Sequence, residues 1–204
     1  MKGLYAITPD VASTAVLERM VAQALEGGVA VLQYRNKLAD AALRREQAEA
    51  LLRLARARHV PLIVNDDVAL AAAIDADGAH VGRDDGDVAA ARRALPGKRL
   101  GASCYASLEA AEAAVAAGAD HVAFGSVFAS GTKPGAGRAA LDLFSRARRL
   151  GVPLVAIGGI TVENAPQVIS SGADCVAVIS DLFGASEITV RAAAYRRLFE
   201  KGPA

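Results

Sequence analysis

The chain has no tryptophan, only two methionines and two cysteines in 204 residues, and aromatic side chains make up 4% of it. With so few large rings, the core must come from close packing of Ala, Val and Leu, which supply most of a hydrophobic content of 53%. Small helices laid on strands suit that composition. Cys104 and Cys175 are far apart in sequence and form no ligand cluster, so they read as buried or half-buried unbridged thiols in a reducing compartment. Neither sign of charge is in excess. The net charge of +1 gives no reason to expect nucleic acid or an anionic membrane as partner, so any strong anion binding must be local. No apolar stretch reaches the roughly 18 residues that a membrane span needs. The apolar part of the N-terminal Met1–Thr8 is too short for a signal peptide, because charge and turn residues follow at once. No long polar tract suggests disorder. The expectation is a soluble cytoplasmic protein with one domain over residues 1–204.

What the chain does have is alternation. Short β-type runs at 4–8, 29–32, 61–64, 78–81, 99–102, 120–124, 153–157 and 175–179 are separated by helical patterns at about 14–27, 40–58, 68–74, 87–95, 108–117, 139–150, 162–170 and 187–199. Ser13 fits an N-cap for the first helix, and Gly27-Gly28 ends it. A faint repeat marks the helix-to-strand turns: Gly28-Val29-Ala30, Ala76-Asp77-Gly78, Gly118-Ala119-Asp120 and Gly172-Ala173-Asp174. Eight β–α units with apolar strands predict a parallel sheet, and closing it into a (β/α)8 TIM barrel removes the exposed edges. A doubly wound open sheet is the alternative. The segment 125–138, with four glycines, is too long for a routine connection, and its glycines suit a mobile loop.

The polar residues collect after the strands. A buried-type run leads into Gln33-Tyr34-Arg35-Asn36-Lys37, where Gln33, Arg35 and Lys37 share one side of an extended segment. Three long polar side chains there are costly unless they meet an anion or a partner; capping a surface turn is the plainer reading of Arg35 and Lys37. The other strands end in Thr8, Asn65-Asp66, Asp85, Ser103, the loop Ser130–Lys133, Gly158-Gly159 and Ile179-Ser180. In a barrel these fall on the rim where active sites form. Asp66 and Asp85 end neighbouring strands. Two adjacent carboxylates repel unless a proton or cation lies between them, and a hard ion with phosphate nearby fits Mg²⁺. Helix capping is the competing role, the one expected of Asp67 and Asp84. Gly158-Gly159 and Ile179-Ser180 lie where barrels often bind phosphate. Two anion sites on one rim imply two phosphorylated substrates. His80 and His121 read as packed interior groups, and no Cys/His pair supports nucleophilic catalysis.

Gln33-Tyr34-Arg35-Asn36-Lys37, Asn65-Asp66, Gly82-Arg83-Asp84-Asp85, Gly101-Ala102-Ser103, Val127–Lys133, Val155–Ile160 and Val178-Ile179-Ser180 together resemble the thiamine-phosphate synthase family, in order and over almost the whole chain. The resemblance implies a transferase that joins 4-amino-2-methyl-5-(diphosphooxymethyl)pyrimidine to a thiazole phosphate, releasing diphosphate, with CO₂ as well when the thiazole is carboxylated. It assigns the pyrimidine diphosphate to Gln33, Tyr34, Arg35, Asn36, Lys37, Asn65, Ser103 and Lys133, with Arg35, Lys37, Ser103 and Lys133 as catalytic groups. It gives Mg²⁺ to Asp66 and Asp85, and the thiazole phosphate to Ser130, Gly131, Thr132, Gly159, Ile179 and Ser180. Partners are phosphorylated small molecules, and a homodimer is the assembly considered. Two departures stand out: Ser130 replaces the usual Thr, and Cys104-Tyr105 follows Ser103 where a Thr/Ala-His pair is frequent. A thiazole tautomerase-like paralogue, a non-catalytic phosphate-ligand binder and a phosphosugar epimerase or isomerase are the competing readings.

Overall fold

A computed structural model describes residues 1–82, 86–129 and 138–200. Eight strands, β1 (Gly3–Ile7), β2 (Val31–Tyr34), β3 (Leu62–Asn65), β4 (Gly78–Val81), β5 (Arg99–Tyr105), β6 (His121–Phe124), β7 (Leu154–Ile157) and β8 (Cys175–Val178), pair in sequence order. Every neighbouring pair is parallel, and β1 also pairs with β8, so the sheet closes into a TIM barrel. The helices α1 (Thr14–Gly27), α2 (Ala41–Ala57), α3 (Val68–Ala73), α4 (Val88–Ala94), α5 (Leu108–Ala116), α6 (Asp142–Ala147), α7 (Ala165–Ser170), α8 (Ser180–Phe183) and α9 (Ile188–Glu200) follow the strands. No helix among the described residues is long and apolar enough to cross a membrane.

Strand alternation divides the apolar side chains between two cores. Tyr5, Ile7, Val31, Ile63, Ala123, Val155, Cys175 and Ala177 fill the barrel interior. The alternate residues, among them Leu4, Ala6, Leu32, Val64, Leu100, Val122 and Val176, pack against the helices. Alanines such as Ala24, Ala48, Ala55 and Ala192 are buried on the helix faces, so the layers approach closely without large rings. Both cysteines are buried thiols.

The repeated turn is structural, and its geometry recurs three times. Asp77, Asp120 and Asp174 each donate their backbone N–H to Leu62, Leu100 and Leu154 respectively, and each accepts that leucine's N–H on Oδ2, at 2.8–2.9 Å. Each aspartate thereby ties the start of an even strand to the start of the odd strand before it.

Local differences from the sequence expectations have local causes. Gly28, left-handed at φ 101°, caps α1, and the second strand starts at Val31, two residues later than expected. The fifth strand runs on to Tyr105, with a register shift against β6 between Ser103 and Tyr105. The expected helix over 139–150 shortens to Asp142–Ala147 plus a 3-10 turn. The helix expected from 162 begins at Ala165, because the Asn164 side chain accepts the Thr161 N–H and donates to the Gly159 carbonyl, forming a turn instead.

Candidate active site

A cavity of about 550 Å³ opens at the C-terminal ends of the strands. Gln33, Arg35, Lys37, Asn65, Asp66, Ser103, Gly159, Ile179 and Ser180, all picked out in the sequence, line it together. Tyr34 and Asn36 do not. Alternation along β2 turns Tyr34 outward, where its hydroxyl donates to Gln47 Oε1 at 3.0 Å, while Asn36 lies in the loop beyond the strand. Asn36 donates to Val11 O and Gln47 Oε1 and accepts from the N–H groups of Leu38 and Ala39, so its amide is consumed in shaping the loop. Ser130, Gly131, Thr132, Lys133 and Asp85 lie outside the described residues.

The charged end of β2 is anchored from β1. Thr8, fully buried, donates its hydroxyl to Arg35 O and accepts from Arg35 N, both at 2.8 Å. Asp10 accepts from Arg35 Nη1 on both oxygens and from the Lys37 N–H on Oδ1. Sequence reading missed Asp10; a carboxylate directly after β1 on the functional rim was the available signal. Inside the barrel, Gln33 Nε2 donates to Tyr5 Oη at 2.9 Å, and burial raises the Tyr5 phenol well above its ordinary range, which keeps it neutral.

Asp66 adopts a left-handed backbone, φ 61°, which is unfavourable for a residue with a Cβ. Its N–H donates to His80 O at 2.8 Å, and Asn65 Nδ2 donates to its Oδ2 at 2.6 Å. Lys37 Nζ stands 3.8 Å from the same oxygen. Next to it, Asp67 accepts the Leu70 N–H and caps α3, the role expected of it. The described residues contain no group of three His, Cys, Asp or Glu side chains arranged for a metal. An oxygen-only donor such as Asp66 at the cavity wall nevertheless fits a hard cation that takes its remaining ligands from phosphate and water.

Ser103 is joined to His80 across 2.9 Å, Oγ to Nε2. Burial pushes the His80 imidazole down to about 4. On the opposite side, Gly158 and Gly159 have φ of 102° and 62° and pack against the segment after β6. A Cβ on Gly158 would overlap Ser126, and one on Gly159 would overlap the Ala129 carbonyl. Phe128 N–H donates to Gly158 O in the same contact. Asp181, also missed in the sequence, lines the cavity beside Ser180, held by Tyr195 Oη at 2.7 Å and by Arg191. A carboxylate adjoining a rim motif was again the signal. Ile7, Ala123, Val155, Ile157, Ala177 and Val178 supply an apolar floor and wall. The cavity thus joins a cationic, polar side to an apolar floor and wall.

Known proteins resemble this chain in sequence and in fold. The family model described as thiamine monophosphate synthase matches residues 4–182. The thiamine-phosphate synthase of Aromatoleum aromaticum is 57% identical over 202 residues, covering 98% of this chain and 97% of that one. That of Methylobacillus flagellatus is 55% identical, covering 98% and 96%. The solved thiamine phosphate pyrophosphorylase of Pyrococcus furiosus superposes with a TM-score of 0.88 at 34% identity, covering 98% and 96%. By sequence and by structure, the chain belongs to the thiamine monophosphate synthase family.

Proposed function

We propose that this protein, acting as one catalytic domain, is a thiamine-phosphate synthase. It joins the pyrimidine of 4-amino-2-methyl-5-(diphosphooxymethyl)pyrimidine to the nitrogen of a thiazole phosphate and releases diphosphate. The observation that carries the reading is the convergence of Gln33, Arg35, Lys37, Asn65, Asp66 and Ser103 on one cavity wall, facing Gly159, Ile179 and Ser180.

Breaking the CH₂–O bond puts negative charge on the departing diphosphate and positive charge on the pyrimidine. Arg35, Lys37 and Lys133 stabilise the leaving group. Asp66 with Asp85 would hold Mg²⁺, which when bound supplies further charge neutralisation to the diphosphate. Asn65 orients the Asp66 carboxylate. The pyrimidine cation must be kept from water until the thiazole arrives, and the wall of Ile7, Ala123, Val155, Ile157 and Val178 excludes it. Ser130, Gly131, Thr132, Gly159, Ile179 and Ser180 hold the thiazole phosphate, so the ring nitrogen meets the cation already oriented. No protein nucleophile is required. Phosphorylated small molecules are the only substrates needed, in a cytoplasmic setting, and a homodimer is the assembly proposed.

The test is a coupling assay with both substrates, with and without Mg²⁺. Mg²⁺-dependent release of diphosphate matched by thiamine phosphate supports the reading. Turnover of the thiazole alone without diphosphate release would instead identify a tautomerase-like enzyme.

A further inference from the structure

Three interior positions line up across neighbouring strands: His80 on β4 is in register with Gly101 on β5, and Gly101 with His121 on β6. Both imidazoles are nearly buried, with 6% and 2% of their surface exposed, and their ring centroids are 5.5 Å apart. The glycine is what lets them lean together. A Cβ there would overlap both His80 Nδ1 and His121 Nε2, so these two nitrogens face the same small space. Among the described residues neither has a hydrogen-bond partner.

Two buried neutral imidazoles facing each other this way have coupled tautomers. Two lone pairs, or two N–H groups, would repel, whereas one of each attracts. Both rings lie almost wholly out of water, where an imidazole is more stable neutral than charged. The other nitrogen of His80, Nε2, lies 2.9 Å from Ser103 Oγ at the cavity wall. The tautomer of His80 therefore decides whether Ser103 receives a hydrogen bond from the histidine or must give one to it.

We propose that His121 is a positioning residue, whose Nε2–H points at His80 Nδ1, holds His80 in its Nε2–H form and so leaves the Ser103 hydroxyl to donate into the cavity. This rests on the reading of Ser103 as a group that binds the pyrimidine diphosphate. A serine locked in this way is pre-set to donate to the leaving oxygen or to the pyrimidine, without reorienting during the reaction. His121 acts two steps from the substrate and touches none of it.

The test is ¹⁵N NMR of the histidine ring nitrogens together with coupling kinetics. In the wild type, His80 should carry its proton on Nε2 and leave Nδ1 bare, and His121 should carry one on Nε2. His121→Phe should give His80 mixed tautomers and a turnover about tenfold lower, comparable to losing an orienting partner, with little change in KM. His121→Gln, which keeps an N–H donor, should restore a single tautomer and most of the turnover. A wild-type His80 protonated on Nδ1 would overturn the proposal, and this needs no variant to fold. So would a His121→Phe enzyme with unchanged tautomer and turnover. If Ser103 has no substrate role, Ser103→Ala will turn over normally whatever the histidine spectra show, which separates that failure from this one.

Discussion

Nη1 of Arg35 lies 3.1 Å from each carboxylate oxygen of Asp10, while the Lys37 N–H donates to Oδ1 of the same group at 2.7 Å. One carboxylate on the loop after β1 therefore holds the Arg35 guanidinium and the Lys37 backbone at the end of β2. Asp10→Ala keeps both cations but takes away the acceptor that the Arg35 guanidinium and the Lys37 N–H share. We expect kcat/KM for the pyrimidine diphosphate to fall by about a hundredfold, the scale of a misplacement of about 1 Å at a reacting centre. Steady-state kinetics would check this, and a change below about threefold would show that Asp10 does not order the clamp.

The turn aspartates make a contrasting case. Asp120→Ala leaves the Leu100 N–H buried without its acceptor, at a cost of about 1–3 kcal/mol. Asp120 sits at the rim away from the cavity, so a melting temperature lowered by several degrees with kcat unchanged is the expected pair of results. A loss of kcat at permissive temperature would contradict the separation of the two rims.

Gly158 needs both its left-handed backbone and its missing side chain. Gly158→Ala meets strained φ and Ser126, whose Cα would lie 2.7 Å from the new Cβ. We expect about 1–3 kcal/mol of destabilisation and a clear loss of turnover as the segment after β6 moves. Gly151 is also left-handed, at φ 69° against 102°, and has open space around it. Gly151→Ala should cost less stability and leave turnover intact, and equal effects in the two variants would show that crowding against Ser126 is unimportant.

The buried histidines make stability depend on pH. Burial first, then His80 once it is itself protonated, Arg99 and the N-terminal amine push His121 from the usual value of 6.5 down to about 3. Its contribution is fully present above pH 6.5 and is lost as pH falls towards 3, because the unfolded chain takes up a proton that the folded one refuses. His121→Gln cannot titrate. Between pH 7 and pH 5 the wild type should lose about 2 kcal/mol more than this variant. Denaturant titrations at the two values would measure it, and parallel losses would mean that His121 is not held neutral in the folded state.

The fold was largely legible because strand and helix periods are clean and β4 falls at the expected 78–81. The candidate site was legible where polar residues sit directly after a strand, as with Arg35 and Asp66, or near a strand's C-terminal end, as with Ser103 within β5. The alternation that grouped Gln33, Arg35 and Lys37 on one side also turns Tyr34 away from the cavity, and the loop beyond the strand draws Asn36 to Val11 and Gln47. A motif read as a continuous run hides that division. Asp10 and Asp181 were missed because their importance lies in partners 25 and 10 residues away, Arg35 and Arg191, that only the closed barrel brings near. The His80–Gly101–His121 line depends on strand register, which periodicity does not provide.

The most direct measurement of the cation site is turnover of Asp66→Ala at saturating Mg²⁺ and both substrates. Asp66 stands in a strained backbone at the cavity wall, next to Lys37 and tethered by Asn65. Diphosphate release should fall by at least about a hundredfold, as when one charge-stabilising group is lost, with Lys133→Ala falling by a similar factor. Near-normal turnover in Asp66→Ala would contradict the reading of this rim as a metal-assisted diphosphate clamp.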